Sequence, residues 1–179
     1  MIKKAILGLL IAASAFSALA QDALAPIPSL NVPRYMGTWY EIAKYPNFFQ
    51  RKCISNTVAQ YSTQPDGTVR VFNSCTQEDG KTIDATGQAR QIGDATSPKL
   101  EVRFAPAWMS FLPFVWGNYW VIDIDTDYQL VAVSEPKREY LWVLSRTPTV
   151  DAKAYDELLA RLRSKSIDTS KIERSRQSQ

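Results

Sequence analysis

Beyond residue 36, apolar and polar residues alternate with a period of two through most of the chain, and each alternating run stops at a turn signal. The clearest run covers 99–104, where Leu100, Val102 and Phe104 share one face and Lys99, Glu101 and Arg103 the other. Similar runs cover 37–46, 55–63, 68–76, 81–90, 117–125, 128–135 and 139–146, eight in all. Gln64-Pro65-Asp66-Gly67 is a turn between two of them, with Pro pre-setting one φ and Asp and Gly tolerating the rest. Eight antiparallel strands suffice to close a barrel that still holds one small ligand. Closure also removes the edge strands that invite aggregation. The pattern therefore predicts an all-β fold built as an eight-stranded antiparallel barrel.

Past Pro148 the period changes. Tyr155, Leu158, Leu159 and Leu162 fall at i, i+3, i+4 and i+7, which predicts one helix over about 151–164 with Thr149 or Asp151 as its cap. Its single apolar stripe suits packing on the outside of a barrel. The segment Ile167 to Ile172 can return as a further strand, and the polar tail 174–179 reads as frayed. Before the first strand, Pro26, Pro28 and Pro33 mark 21–33 as an extended lead-in, so the barrel domain is expected to span 34–173.

Residues 1–20 carry the signs of an export signal: Lys3 and Lys4, an apolar run from Ala5 to Phe16, and Ala18-Leu19-Ala20 before Gln21. Its removal takes the formal net charge from +3 to +1. Such a balance makes no electrostatic case for nucleic acid or for a strongly anionic membrane. The expected location is periplasmic or secreted. There Cys53 and Cys75 are expected to form one disulfide, two free thiols being the alternative.

The chain has no histidine, which excludes His-containing triads and the commonest metal ligand. Asp123, Asp125 and Asp127 lack the glycine and terminal Glu of a calcium loop. No catalytic residue, metal site or cofactor is therefore expected.

Trp39 opens the first strand within Gly37-Thr38-Trp39-Tyr40-Glu41-Ile42-Ala43, and Arg146 closes the last within Tyr140-Leu141-Trp142-Val143-Leu144-Ser145-Arg146. An early Gly-x-Trp and a late Arg suit a guanidinium lying across an indole at the end of a barrel. With Thr126-Asp127-Tyr128 between two late strands and Thr147-Pro148 after Arg146, these blocks resemble the lipocalins, and among them the bacterial group that is similar to apolipoprotein D. The resemblance spans essentially the whole exported part. It implies an up-and-down barrel with a C-terminal helix on its wall, Gly37, Trp39 and Arg146 being structural. It also implies a binder of a fatty acid or lysophospholipid, acting in lipid storage, transport or envelope maintenance. Many bacterial members carry a lipid-anchored cysteine directly after the signal; position 21 here is Gln, so outer-membrane anchoring is less expected.

Strand alternation directs Leu100, Val102, Phe104, Val71 and Tyr61 inward, with Tyr140 and Trp142 in the phase that points into the upper cavity. Glu41 shares the phase of Trp39, and a hydrogen bond near the closed end is its expected role. The stretch 107–116 is apolar, unperiodic and broken by Pro113. It suits a lid over the mouth, a patch for a membrane or partner, or a loop folded on its own barrel. Trp116 at its end and Phe48 in the loop after the first strand complete the expected ligand contacts. The resulting expectation is a non-enzymatic lipid binder, monomeric or weakly dimeric, with possible peripheral membrane contact. A lipid-acting isomerase or hydrolase and a loop-mediated interaction module are the alternatives.

Overall fold

The computed structural model describes residues 22–178. The expected signal segment lies outside the described residues. The strands are β1 (Gly37–Lys44), β2 (Ser55–Thr63), β3 (Val69–Thr76), β4 (Thr82–Gln91), β5 (Lys99–Arg103), β6 (Gly117–Ile124), β7 (Leu130–Ser134), β8 (Leu141–Ser145) and β9 (Glu173–Arg174). Each of β1 to β8 pairs antiparallel with its sequence neighbour, and β8 returns to β1. The result is a closed eight-stranded barrel with one C-terminal helix, as the alternation predicted.

Across the end of the lead-in runs a short helix, α1 (Val32–Tyr35), that the proline-rich sequence concealed. The Asn31 side chain accepts from the Arg34 N–H, and Pro33 sits in the first turn, where its missing N–H costs nothing. The C-terminal helix, α2 (Ala152–Ser164), is capped by Asp151 and buries Tyr155, Leu158 and Leu162. These pack on the outer face of the wall, against Ile42, Ala43, Ile122, Ala132, Leu141 and Val143. Arg161 of α2 holds Asp123 through hydrogen bonds of 2.9–3.2 Å.

This outer core explains why β7 and β8 are almost continuously apolar: they are covered on both faces. Two bulges serve it as well. The register slips between Glu41 and Ala43 and between Val121 and Asp123. Each bulge sets two successive residues, Ile42–Ala43 and Ile122–Asp123, on the outer face. Past the first bulge the phase is inverted, so Lys44 faces inward opposite Trp142.

The tail is not frayed. β9 pairs with β1 at Ala43 and Lys44. Ser175 N–H donates to Ile42 O at 2.9 Å, and Asn56 N–H to Arg176 O at 2.8 Å. The tail thus fills the seam where β1 and β2, paired only from Gly37 to Tyr40, diverge toward the open end. The segment just before it forms a 3₁₀ turn, Thr169–Lys171, instead of the expected strand.

Candidate functional site

The inner faces of the strands form a second core: Trp39, Tyr61, Val69, Val71, Ala89, Leu100, Val121, Val131, Val133 and Leu144 are buried, together with Leu30 from the lead-in and Tyr35 from α1. The lower barrel is filled by its own side chains. Nearer the mouth, the inward-facing Ala59, Asn73, Ala85, Val102 and Trp142 keep accessible surface. A barrel packed to its top would have buried them.

The closed end is sealed by Arg146. Its guanidinium lies 3.9 Å from the centroid of Trp39, which is fully buried. Arg146 donates to Thr38 O at 2.9 Å and to Arg34 O at 2.7 Å, so the cation also ties α1 to β1. Burial lowers its pKa, opposed by Tyr35 and Tyr61. Gly37 lies beneath: its φ is +98°, and a Cβ there would stand 3.2 Å from Arg146. Trp39 Nε1–H donates to Tyr35 O at 2.8 Å, completing the seal.

Above it, three tyrosines form the floor. Tyr35 stacks on Tyr61 with centroids 5.7 Å apart. The Tyr119 hydroxyl lies 2.7 Å from that of Tyr35 and 3.1 Å from that of Tyr61. Burial raises the pKa of all three, Tyr61 to about 12, so they are neutral phenols at physiological pH. Tyr35 and Tyr119 were not among the expected contacts. Asn31 before Pro33 was the available signal for α1, and pairing with Leu100 is what turns Tyr119 inward.

Toward the mouth, one wall is polar. Glu41, only 2% exposed, accepts from the Ser175 hydroxyl at 2.6 Å and from Gln50 Nε2, and Lys44 lies 3.2 Å away. Gln50 Oε1 in turn accepts from Trp142 Nε1–H at 2.9 Å. Glu41 therefore ties the open-end loop and the tail to the wall, and has no part in the closed-end seal.

The expected contacts separate into three groups. Val71, Tyr61 and Leu100 are buried in the lower core, and Val102 packs on it with accessible surface. Trp142 faces the interior, with Tyr140 stacked above it at 5.9 Å. The rest stand at or beyond the rim. Phe104 follows β5 and lays its ring on Gly87, where a Cβ would come within 2.8 Å of it, yet it is 46% exposed. Phe48 is 69% exposed, with Arg51 over its ring at 4.7 Å and Phe49 edge-on at 6.0 Å.

Trp116 departs from expectation. Gly117 pairs with the inward Val102, so the preceding residue falls on the outer face. Its ring lies between Arg90 at 4.1 Å and Arg103 at 5.2 Å, and Nε1–H donates to Ser110 O. It anchors the 104–116 loop to the outside of the wall. The loop does not fold into the mouth: Trp108, Phe111 and Phe114 are 72–77% exposed.

Around the rim, Cys53 and Cys75 are joined in a disulfide, tying the β1–β2 loop to the top of β3. Asp125 is spent on a turn, accepting from the N–H groups of Asp127, Gln129 and Leu130. Among the described residues, no cluster of His, Cys, Asp and Glu is arranged to hold a metal. A surface groove of about 700 Å³ lies between the tail and Pro148–Val150, on the helix side of the wall.

A family model described as a lipocalin-like domain matches residues 30–177. Temperature-induced lipocalin-1 of Arabidopsis thaliana is 40% identical over 154 residues, covering 85% of this chain and 82% of its own length. The outer membrane lipoprotein Blc of Escherichia coli is 37% identical over 147 residues, with coverage of 82% and 78%. Apolipoprotein D of Rattus norvegicus is 31% identical over 153 residues, with coverage of 80% and 75%. Among solved structures, insecticyanin from the tobacco hornworm Manduca sexta superposes with a TM-score of 0.66 at 22% identity, covering 86% of this chain and 84% of its own. At that identity the likeness speaks to fold alone.

Proposed function

The chain belongs to the lipocalin family, whose members bind small hydrophobic ligands, and from that premise we propose that it is exported and takes up a fatty acid or lysophospholipid. The acyl chain lies in the upper barrel against Val102 and Trp142, and Tyr140 and Phe49 stand over the entrance with centroids 5.5 Å apart. The observation that carries this reading is the gradient along the barrel axis. Inward residues are buried below and accessible above, so an apolar surface is left uncovered inside a closed wall. Each methylene placed there contributes about 0.8 kcal/mol. Chain length should then govern affinity more than the head group.

The rim supports loading at a lipid surface. No charged residue occurs from Phe104 to Ile122, and the β1–β2 loop adds Phe48, Phe49, Arg51 and Lys52 with no acid. Exposed aromatics with flanking cations suit the bilayer interface. The disulfide supports an oxidising compartment.

Lipocalins are generally binding and transport proteins, and a role in lipid carriage or envelope maintenance follows without catalysis. Titration of intrinsic tryptophan fluorescence with oleate and with lysophosphatidylcholine tests the proposal. It expects a saturable change at one ligand per chain. The absence of a saturable change with either lipid would count against it.

A further inference from the structure

The floor of the barrel has one more hydrogen-bond donor than its own residues use. Tyr35, Tyr61 and Tyr119 contribute three O–H groups. They make two contacts, both centred on Tyr119. Among the described residues these hydroxyls have no other hydrogen-bond partner. Two contacts consume two protons, so one proton is unspent in every arrangement.

With Tyr35 and Tyr61 both donating to Tyr119, the spare proton is that of Tyr119; with Tyr119 donating to one of them, it is that partner's. Of the three, Tyr119 faces inward opposite Leu100 and keeps accessible surface, whereas Tyr35 and Tyr61 are 2% and 8% exposed.

A second polar group faces the same interior. Asn73 faces inward, paired with Ala59, one inward position nearer the mouth than the Tyr61–Val71 pair. Its Oδ1 is buried and has no hydrogen-bond partner. Leaving a buried donor and acceptor unpaired is unfavourable. A methyl terminus arriving at this level pairs with neither. An ionised carboxylate satisfies the phenol but meets the amide oxygen as a second acceptor. A hydroxyl both donates and accepts, and so it matches the phenol together with either orientation of the Asn73 amide.

We propose that Tyr119 and Asn73 form a polar subsite at the bottom of the chamber, which selects apolar ligands bearing a hydroxyl at the end that enters first. This rests on the lipid-carrier reading of the barrel and adds an oxygenated class of ligand to it.

The test is a competition in which ω-hydroxypalmitate and palmitate displace a fluorescent fatty-acid probe from the full chain. The wild-type protein is expected to bind the hydroxylated acid about tenfold more tightly, the value of one hydrogen bond. Tyr119→Phe is expected to bring the two acids within about twofold of each other, by a loss of ω-hydroxypalmitate affinity larger than any change for palmitate. Tyr61→Phe keeps the Tyr35–Tyr119 contact with one spare proton, and should retain the preference. A purely structural floor would instead weaken both acids alike in both variants. Equal binding of the two acids by the wild-type protein overturns the subsite alone. Failure of both acids to displace the probe overturns the lipid-carrier reading and the subsite together.

Discussion

Both ends of the barrel are rich in aromatic rings, and the rings do opposite things. At the closed end Trp39, Tyr35 and Tyr61 are buried, and each polar tip has a partner. At the open end Phe48, Phe49, Trp108, Phe111 and Phe114 are each more than two-thirds exposed. The closed-end rings gain from water exclusion, hydrogen bonding and a desolvated cation. The open-end rings gain little from folding, so stability does not account for their presence there. The comparison teaches that stability is concentrated at one pole and ligand traffic at the other.

The largest expected effect comes from breaking the buried pole. Trp39→Ala removes the indole beneath Arg146 and should cost about 3–5 kcal/mol, read as a fall in the urea midpoint. A loss below about 1 kcal/mol would mean that the closed end is not where the stability resides.

Next is the one strong constraint at the open pole. Replacing Cys53 and Cys75 together by alanine should cost about 3 kcal/mol, given their separation of 22 residues. Reversible unfolding under oxidising and reducing conditions measures it. The effect sharpens the contrast, because it acts through a covalent tie and not through the exposed rings.

A third test uses pH. Tyr61 has a folded-state pKa raised to about 12 by burial, above its unfolded value near 10. Its contribution is fully present below about pH 10 and is lost as pH rises toward 12, by about 2 kcal/mol. Tyr61→Phe should make the alkaline limb of the stability curve shallower. An unchanged limb would show that this phenol is not held in its neutral form by the fold.

The smallest effect on stability is expected from the rim. Phe111→Ser and Trp108→Ser should each change it by no more than about 0.5 kcal/mol. The same variants should reduce co-sedimentation with phospholipid vesicles. Unchanged vesicle binding would remove the rim from ligand traffic.

How much of this was legible depends on whether one face of a strand is charged. Residues 99–103 could be read directly, because only one phase keeps Lys99, Glu101 and Arg103 out of an apolar interior. The period change at Tyr155 was equally plain, since the helix has a single face to bury. Legibility failed where phase is set by neighbours. Lys44 faces inward only because of the bulge at Ile42, which alternation does not show. Trp116 was misplaced because its stretch has no period, and pairing of Gly117 with Val102 fixes its side. The tail looked frayed because its hold is long-range, through bonds from Ser175 to Ile42 and Glu41 and from Gln177 to Thr57. Tyr35 was hidden because it follows closely on the proline-rich lead-in, 21–33, which alternation treats as extended chain, giving no sign of α1.

The claim on which the contrast depends is that the upper barrel is hollow and receives an acyl chain beside Trp142. Quenching of tryptophan fluorescence by a fatty acid brominated at mid-chain tests it most directly, with Trp142→Phe as the comparison. The account predicts saturable quenching at one lipid per chain, most of it lost in Trp142→Phe while the lipid still binds. Quenching that never saturates, or that is equal in the two proteins, would contradict it.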